Sequence, residues 1–146
     1  MNKPITIDSL IDDFSLLNEW EDRYRYVIEL GKGLEPLPAS AHTDANKVRG
    51  CASQVWLERH LEAGADVDGP KLIFKGDSDA LIVRGLIAIL FILYSGRHAR
   101  EILAIEPEVV LTKLGLDQHL SQQRSNGLRA MVERIRADAH QSLTNP

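Results

Sequence analysis

Apolar residues recur at helical spacing in two stripes in the first third of the chain. The first stripe is Ile7, Leu10, Ile11, Phe14 and Leu17, and the second is Trp20, Tyr24, Val27 and Ile28. Positions three and four apart lie on one face of an α-helix, so each stripe predicts an amphipathic helix. Gly31 and Gly33 follow the second stripe and predict the end of that helix.

The middle of the chain begins with a segment that has no apolar period and continues with the alternating pattern of strands. Residues 34–47 contain two prolines and no apolar period, which predicts a loop. From Val55 onward, apolar and polar residues alternate, which is typical of a strand. The stretch EAGADVDGP predicts a turn, and KLIFKGD, from Lys71, predicts a second strand of a hairpin. Residues 46–50 are a candidate third strand.

A long apolar run follows the hairpin. The sequence GDSDALIVRGLIAILFILYSG predicts a helix with Asp77 or Ser78 as its N-cap and Gly96 as its stop. Its apolar residues occupy nearly the whole circumference, so we expect it to be covered on all sides. The uninterrupted run, residues 85–94, is about half of the roughly 20 residues that a membrane span needs.

The last third is again helical in pattern. HAREILAI predicts one helix and EPEVVLTKLG another, with Pro107 in the first turn and Gly115 at the stop. LDQHLSQQRSNG predicts a connector that contains Arg124, and Ser125 is the expected cap of a final helix. The apolar stripe of that helix is Leu128, Met131, Val132, Ile135 and Ala139. Helices, a small antiparallel sheet and further helices predict an α+β fold.

Composition narrows the possible partners and the compartment. The 146 residues carry a net charge of −4 and no block of Lys or Arg, which argues against nucleic acid as the main partner. The N-terminal stretch lacks the apolar region of a signal peptide. One cysteine in the chain excludes an internal disulfide framework and suits a reducing cytoplasm. We therefore expect a cytoplasmic protein that binds neither membranes nor nucleic acid.

Cys51 is the residue whose side chain is the clearest candidate for chemical reactivity. A free cysteine often serves as a small core residue, and that interpretation stays open. Its position favours a reactive thiol, because it lies between Gly50 and Ala52 where a loop enters a strand. Loops on a rigid scaffold carry much of protein function. The nearby cation of Arg49 would lower the pKa of the thiol.

The remaining residues restrict what such a thiol can do. One cysteine cannot supply the three or four thiolates of a typical metal or cluster site, so we expect no metal. A thiol hydrolase would need a base such as His42 or His119, but no spacing identifies either. A binding module with an inert Cys51 is a further alternative. A thiol without a base suits attack on an already activated sulfur, such as a persulfide on another protein.

Four stretches together resemble the SufE family. They are WEDRYRYVIELGK (20–32), VRGCASQVWL (48–57), GDSDALIVRGLIAILFILYSG (76–96) and LDQHLSQQRSNGL (116–128). The resemblance extends from about Asp13 to about Ala139. It implies one SufE-like domain over residues 1–146, with an α+β fold similar to the IscU-type scaffold. That fold packs about three antiparallel strands against several helices.

The resemblance also implies a function. SufE proteins accept sulfur from a persulfide on the cysteine desulfurase SufS, stimulate that enzyme, and pass the sulfur to the SufBCD iron–sulfur scaffold complex. Pyridoxal phosphate belongs to the desulfurase, so no cofactor is expected here. The protein is then a carrier and activator rather than an enzyme, and a homodimer is possible. An acceptor of the paralogous CsdE type is the alternative.

Site residues follow from the matched motifs. Cys51 matches the sulfur-accepting cysteine, which in the family tucks into an apolar pocket beneath its loop. Arg124 matches an arginine near the active-site loop. Its role is either to stabilise the thiolate or dock the partner, or else a structural one in a helix cap or an ion pair. Asp77 matches an aspartate close to that loop. His119 and Gln54 lie inside matched motifs, and His119 is expected to have a structural role.

Overall fold

The computed structural model describes residues 5–62 and 67–144. Seven α-helices and three strands occur in these residues. In chain order the elements are α1 (Ile7–Ser15), α2 (Trp20–Lys32), β1 (Val55–Glu62), β2 (Lys71–Ser78), α3 (Leu81–Tyr94), β3 (Arg97–His98), α4 (Ala99–Ala104), α5 (Pro107–Lys113), α6 (Leu116–His119) and α7 (Gln122–Thr144). The predicted α+β class is confirmed.

The three strands form one antiparallel sheet in the order β1-β2-β3. The hairpin pairs Val55 with Ser78 at one end and Glu62 with Lys71 at the other. The predicted turn between them lies partly outside the described residues. The segment before Cys51 joins the sheet through a single bridge between Lys47 and Trp56. This confirms the pairing expected for residues 46–50, although no full strand forms there.

Helix α3 lies at the centre of the core. Ten of its fourteen residues are buried, and they lie on all sides of the helix. It packs against α2, the sheet and α7, whose predicted stripe (Leu128, Met131, Val132, Ile135 and Ala139) is buried. Other elements of the protein therefore cover the apolar residues around α3, as the sequence predicted. No helix of the described chain is long and apolar enough to cross a membrane.

Glycines let α2 and α3 approach each other closely. A Cβ on Gly31 would lie 2.6 Å from the backbone nitrogen of Gly85, and a Cβ on Gly85 would overlap the carbonyl oxygen of Val27. The prediction that Gly31 stops α2 is wrong: α2 continues to Lys32, and Gly33 is its C-cap. Gly31 lies inside the helix because only a residue without a side chain fits the crossing.

Two helix starts differ from the sequence predictions. Neither Asp77 nor Ser78 caps α3, because both pair with β1 as part of β2, and Ala80 is the N-cap. Ser125 does not cap α7, because that helix begins at Gln122 and the hydroxyl of Ser121 accepts the Arg124 N–H at 3.2 Å. Arg124 is therefore in a helical first turn.

The other local predictions in the last third have mixed outcomes. The short strand β3 (Arg97–His98) takes His98, which was predicted as the first residue of a helix, because the backbone after α3 pairs with β2. His98 then caps α4. Pro107 stands at the start of α5 as expected, and Gly115 adopts a φ of 75° at the predicted stop. A left-handed conformation of this kind favours glycine.

The close contact between α2 and α3 at Gly85 leads to a prediction about stability. Replacing Gly85 with alanine should lower the free energy of unfolding by about 3 kcal/mol, because the added methyl group forces the two helices apart. The measurement is urea denaturation of both proteins. Gly33→Ala is the control, since its Cβ would meet no atom closer than 3.4 Å. An equal loss in both variants would contradict the proposed close contact.

Candidate functional site

Cys51 lies on a short loop that connects Lys47, which is bridged to Trp56, with the start of β1 at Val55. The backbone N–H of Val48 donates to the Val55 carbonyl at 2.8 Å, which closes the base of this loop. Gly50 precedes the cysteine with a φ of 92°, a conformation that glycine adopts without strain. A Cβ on Gly50 would lie 3.3 Å from the Ala130 methyl group, so the loop passes close to α7.

The thiol is half-buried and faces α7. Its Sγ lies 3.6 Å from the carbonyl oxygen of Gly127, in the geometry of a weak S–H hydrogen bond. A Cβ on Gly127 would lie 3.5 Å from the same sulfur. This is an ordinary van der Waals distance, so the loop packs directly against α7 at Gly127. The structure supports neither a fully packed core cysteine nor a fully exposed one.

A cavity of about 300 Å³ adjoins the thiol. Its apolar side comes from α3 and α7 and consists of Val83, Leu86, Leu128 and Met131. Its polar side includes Ser121, Gln123 and Arg124, from the start of α7 and the residue before it. Cys51 and Arg124, which lie far apart in sequence, therefore line the same cavity.

Burial controls the protonation of the thiol. Removal from water raises the pKa of Cys51 above its ordinary value of 9.0. The low pKa expected from Arg49 is therefore wrong for this conformation: Arg49 is exposed, and burial of the thiol raises the pKa of Cys51. In this state the thiol is neutral at physiological pH and a weak nucleophile.

Arg124 has a second contact outside the cavity. The central carbon of its guanidinium lies 5.8 Å from the ring centroid of Tyr24, which is within cation–π range. In the sequence, Tyr24 is recognisable only as a member of the α2 stripe. An aromatic residue at that position carries no sequence signal for its partner on α7.

Asp77 does not line the cavity. Its carboxylate shares a hydrogen bond with His42 Nε2 at 2.9 Å and lies 3.4 Å from Arg84 Nε. The ring of His42 also packs edge-on against Trp56, with centroids 4.5 Å apart. These contacts attach the loop before Cys51 to the end of the sheet. Asp77 is thus near the cysteine loop, as expected, but acts on its approach segment.

The remaining predicted residues also lie outside the cavity lining. His119 stacks on the ring of Trp20 with centroids 4.5 Å apart. Gln54 is exposed, and its backbone pairs with Asp79. Neither His42 nor His119 is among the residues that line the cavity with Cys51, so the geometry gives a Cys–His hydrolase no base. Within residues 5–62 and 67–144, no group of three acidic, histidine or cysteine side chains could hold a metal ion.

Comparisons with known proteins agree with this description. The chain matches the family model "SufE: Fe-S metabolism associated domain" over residues 8–139. It is 54% identical over 138 residues to an uncharacterized SufE-like protein of Rhizobium meliloti (strain 1021), covering 94% of this chain and 97% of that protein. It is 55% identical over 134 residues to an uncharacterized SufE-like protein of Rhizobium etli, covering 92% and 89%.

A solved structure shares the fold. The solution structure of a hypothetical protein from Thermus thermophilus superposes with a TM-score of 0.72 at 20% identity, covering 95% of this chain and 96% of that one. The family model over residues 8–139 identifies the chain as an iron–sulfur-metabolism-associated domain. The chain belongs to the SufE family.

The strength of the contact between His42 and Asp77 depends on pH. The hydrogen bond from His42 to Asp77 is the largest cause that raises the pKa of His42 above 6.5. The stabilisation from this pair is therefore complete below about pH 6.5 and declines as pH rises through the folded-state pKa. Asp77→Asn should lower the pKa of His42, as measured by NMR titration. Asp44→Asn is the control, and an equal pKa in all three proteins would contradict the pairing.

Proposed function

We propose that this protein accepts sulfur at Cys51 from the persulfide of a pyridoxal-phosphate-dependent cysteine desulfurase, stimulates that enzyme, and carries the sulfur to an iron–sulfur scaffold. The observation that supports this most strongly is the placement of the only cysteine. It lies on a short loop, beside a cavity that also holds Arg124, in a chain of the SufE family.

The transfer needs no base in the acceptor protein. The Cys51 thiolate attacks the terminal sulfur of the donor's persulfide, and a new S–S bond forms at Cys51 while the donor's S–S bond breaks. The electron pair of the broken bond leaves on the donor thiolate, so there is no net oxidation. This chemistry fits a cavity lining that contains no histidine.

The raised pKa of the resting thiol has a functional consequence. A neutral, half-buried Cys51 reacts slowly with small oxidants, because the thiolate is the reactive form. Sulfur transfer then requires that the loop move outward when the desulfurase docks, which exposes the sulfur and lowers its pKa. After transfer, the cavity beside the loop offers an enclosed place for the persulfide.

Arg124 is the charged partner in this scheme. A guanidinium beside the cavity can stabilise a thiolate or persulfide anion when the loop moves, and it can bind an acidic group of the partner. Its first-turn position on α7 and its contact with Tyr24 hold it at the cavity wall. We assign supporting roles to Asp77 through the approach loop, and none in the chemistry to His119 or the Gln54 side chain.

The partners follow from the family. SufE proteins interact with a cysteine desulfurase in iron–sulfur metabolism, and the SufS type is the proposed donor. A scaffold of the SufBCD type is the proposed recipient, a homodimer is a possible resting state, and the cytoplasm is the proposed compartment. The cofactor pyridoxal phosphate remains on the desulfurase. A CsdE-type acceptor would use the same thiol with another desulfurase.

Intact mass tests the acceptor role. The protein is mixed with L-cysteine, without reductant, and either a SufS-type desulfurase or the CsdA-type desulfurase that would serve a CsdE-type acceptor. Wild type should gain one or more sulfur atoms that a thiol reductant removes, because the persulfide S–S bond is reducible. Cys51→Ser, with its fold checked by circular dichroism, should gain none. Absence of sulfur on the wild type with both desulfurases would refute the proposal.

Arg124→Ala should slow sulfur acceptance about tenfold, the effect of removing one charge-assisted contact. The measurement is the initial rate of persulfide formation at Cys51, followed by mass. Arg129→Ala is the matched control, since Arg129 is an exposed arginine of α7 that does not line the Cys51 cavity. Equal rates in the three proteins would remove Arg124 from the site.

A further inference from the structure

Arg124 is a half-buried cation whose charge has no anionic partner in the described part of the chain. Its guanidinium contacts the ring of Tyr24 and makes no hydrogen bond or ion pair there. The other half-buried arginines of α7 are different. Arg134 pairs with the carboxylate of Asp138 at 3.3 Å, and Arg136 donates to a backbone carbonyl at 3.2 Å. Arg124 is therefore available to an anion from outside the chain.

The cavity beside this cation is larger than one carried sulfur atom requires. Its volume of about 300 Å³ reaches the lower end of the range for small-molecule sites, roughly 300–1,000 Å³. Among the described residues that line it, none is Asp or Glu, and Ser53, Ser121 and Gln123 add hydrogen-bonding groups. An apolar wall with a few polar groups on one side is typical of a site for a small ligand.

The two reactive features of the cavity together define the ligand. A guanidinium binds a carboxylate through two parallel N–H···O bonds, and Cys51 reacts with an activated sulfur. A cysteine within a protein chain has no carboxylate of its own, because the peptide bond uses it. A free amino-acid-sized thiol keeps that group. A ligand that suits both Arg124 and Cys51 is therefore a small molecule with sulfur at one end and a carboxylate at the other.

We propose that the cavity binds a small persulfide that carries a carboxylate, such as the persulfide of free L-cysteine, and that Cys51 takes sulfur from it without a desulfurase. Arg124 holds the carboxylate, and the apolar wall packs against the carbon chain. The inference deepens the proposed function, because it rests on Cys51 as the sulfur acceptor and adds a second class of donor.

The transfer exchanges one S–S bond for another. The thiolate of Cys51 attacks the terminal sulfur of the small persulfide, so that a new S–S bond forms at Cys51 while the S–S bond of the donor breaks. The electron pair leaves on the small thiolate, which takes up the proton that Cys51 released, and there is no net oxidation. A donor in the cavity meets Cys51 where that residue lines it. This route therefore does not need the outward loop movement that a desulfurase requires.

Two disulfides that differ only in charge test the carboxylate site. Dithiodipropionate carries a carboxylate beyond each sulfur, and its diamide is a neutral molecule of the same shape. The measurement is the ratio of the anionic to the neutral rate of mixed-disulfide formation at Cys51, followed by intact mass. In Arg124→Gln, with its fold checked by circular dichroism, this ratio should fall about tenfold, the effect of losing one charge-assisted contact.

The control is Arg129→Gln, which should keep the wild-type ratio. Arg129 is an exposed arginine of α7 that does not line the Cys51 cavity. If Arg124 only stabilised the thiolate, its loss would slow both disulfides equally. An unchanged ratio in Arg124→Gln would therefore overturn the proposal.

The wild type provides a test that needs no variant. Its ratio of anionic to neutral rates should exceed that of a neutral free thiol, N-acetylcysteine amide, by at least about threefold. The net charge of −4 would by itself repel the anionic disulfide, so a higher ratio requires local attraction at the cavity. A ratio no higher than that of the free thiol would refute the proposal, even if Arg124→Gln failed to fold.

Sulfur transfer is measured with L-cysteine persulfide and no desulfurase. The wild type should gain reducible sulfur about tenfold faster than Arg124→Gln, and Cys51→Ser should gain none. Sulfur gained from a desulfurase but not from the small donor would overturn this proposal and leave the proposed function standing. Sulfur gained from the small donor alone would support the cavity site and remove the desulfurase as donor. No gain from either donor would refute both.

Discussion

The burial of α3 on all sides is the constraint on which the structure depends. A helix with apolar residues around its whole circumference is stable in water only when other elements cover every face. Helix α2 covers one face through the Gly31–Gly85 crossing, and the sheet and α7 cover others. The same helix supplies Val83 and Leu86 to the cavity, so the wall beside the thiol is part of the core.

The site combines this rigid wall with a loop that is held by few contacts. The closed base at Val48 and Val55 places the sulfur opposite Gly127, while the Gln54–Asp79 hydrogen bonds restrain the other end. Burial keeps the thiol neutral in this position. A protected thiol fits the proposed carrier role, because a resting thiol that had reacted with a small oxidant could no longer accept sulfur.

Sequence periodicity predicted the α+β class, the hairpin and the long buried helices, because those features depend on local patterns of burial. It misplaced the cap of α3 and the start of α7, where strand pairing and the Ser121 hydroxyl decide the boundary. Cys51 and Arg124 were singled out from their motifs, and the structure places both at one cavity. The contacts of Tyr24 and Asp79 could not be, since both join segments that are distant in sequence and adjacent only in space.

A single-turnover experiment tests the central claim most directly. The desulfurase is loaded with persulfide, freed of excess L-cysteine and mixed with this protein, and the intact masses of both are followed together. Direct transfer predicts that each sulfur lost by the desulfurase appears on Cys51. Release of that sulfur as free sulfide, with Cys51 unmodified throughout, would contradict the account.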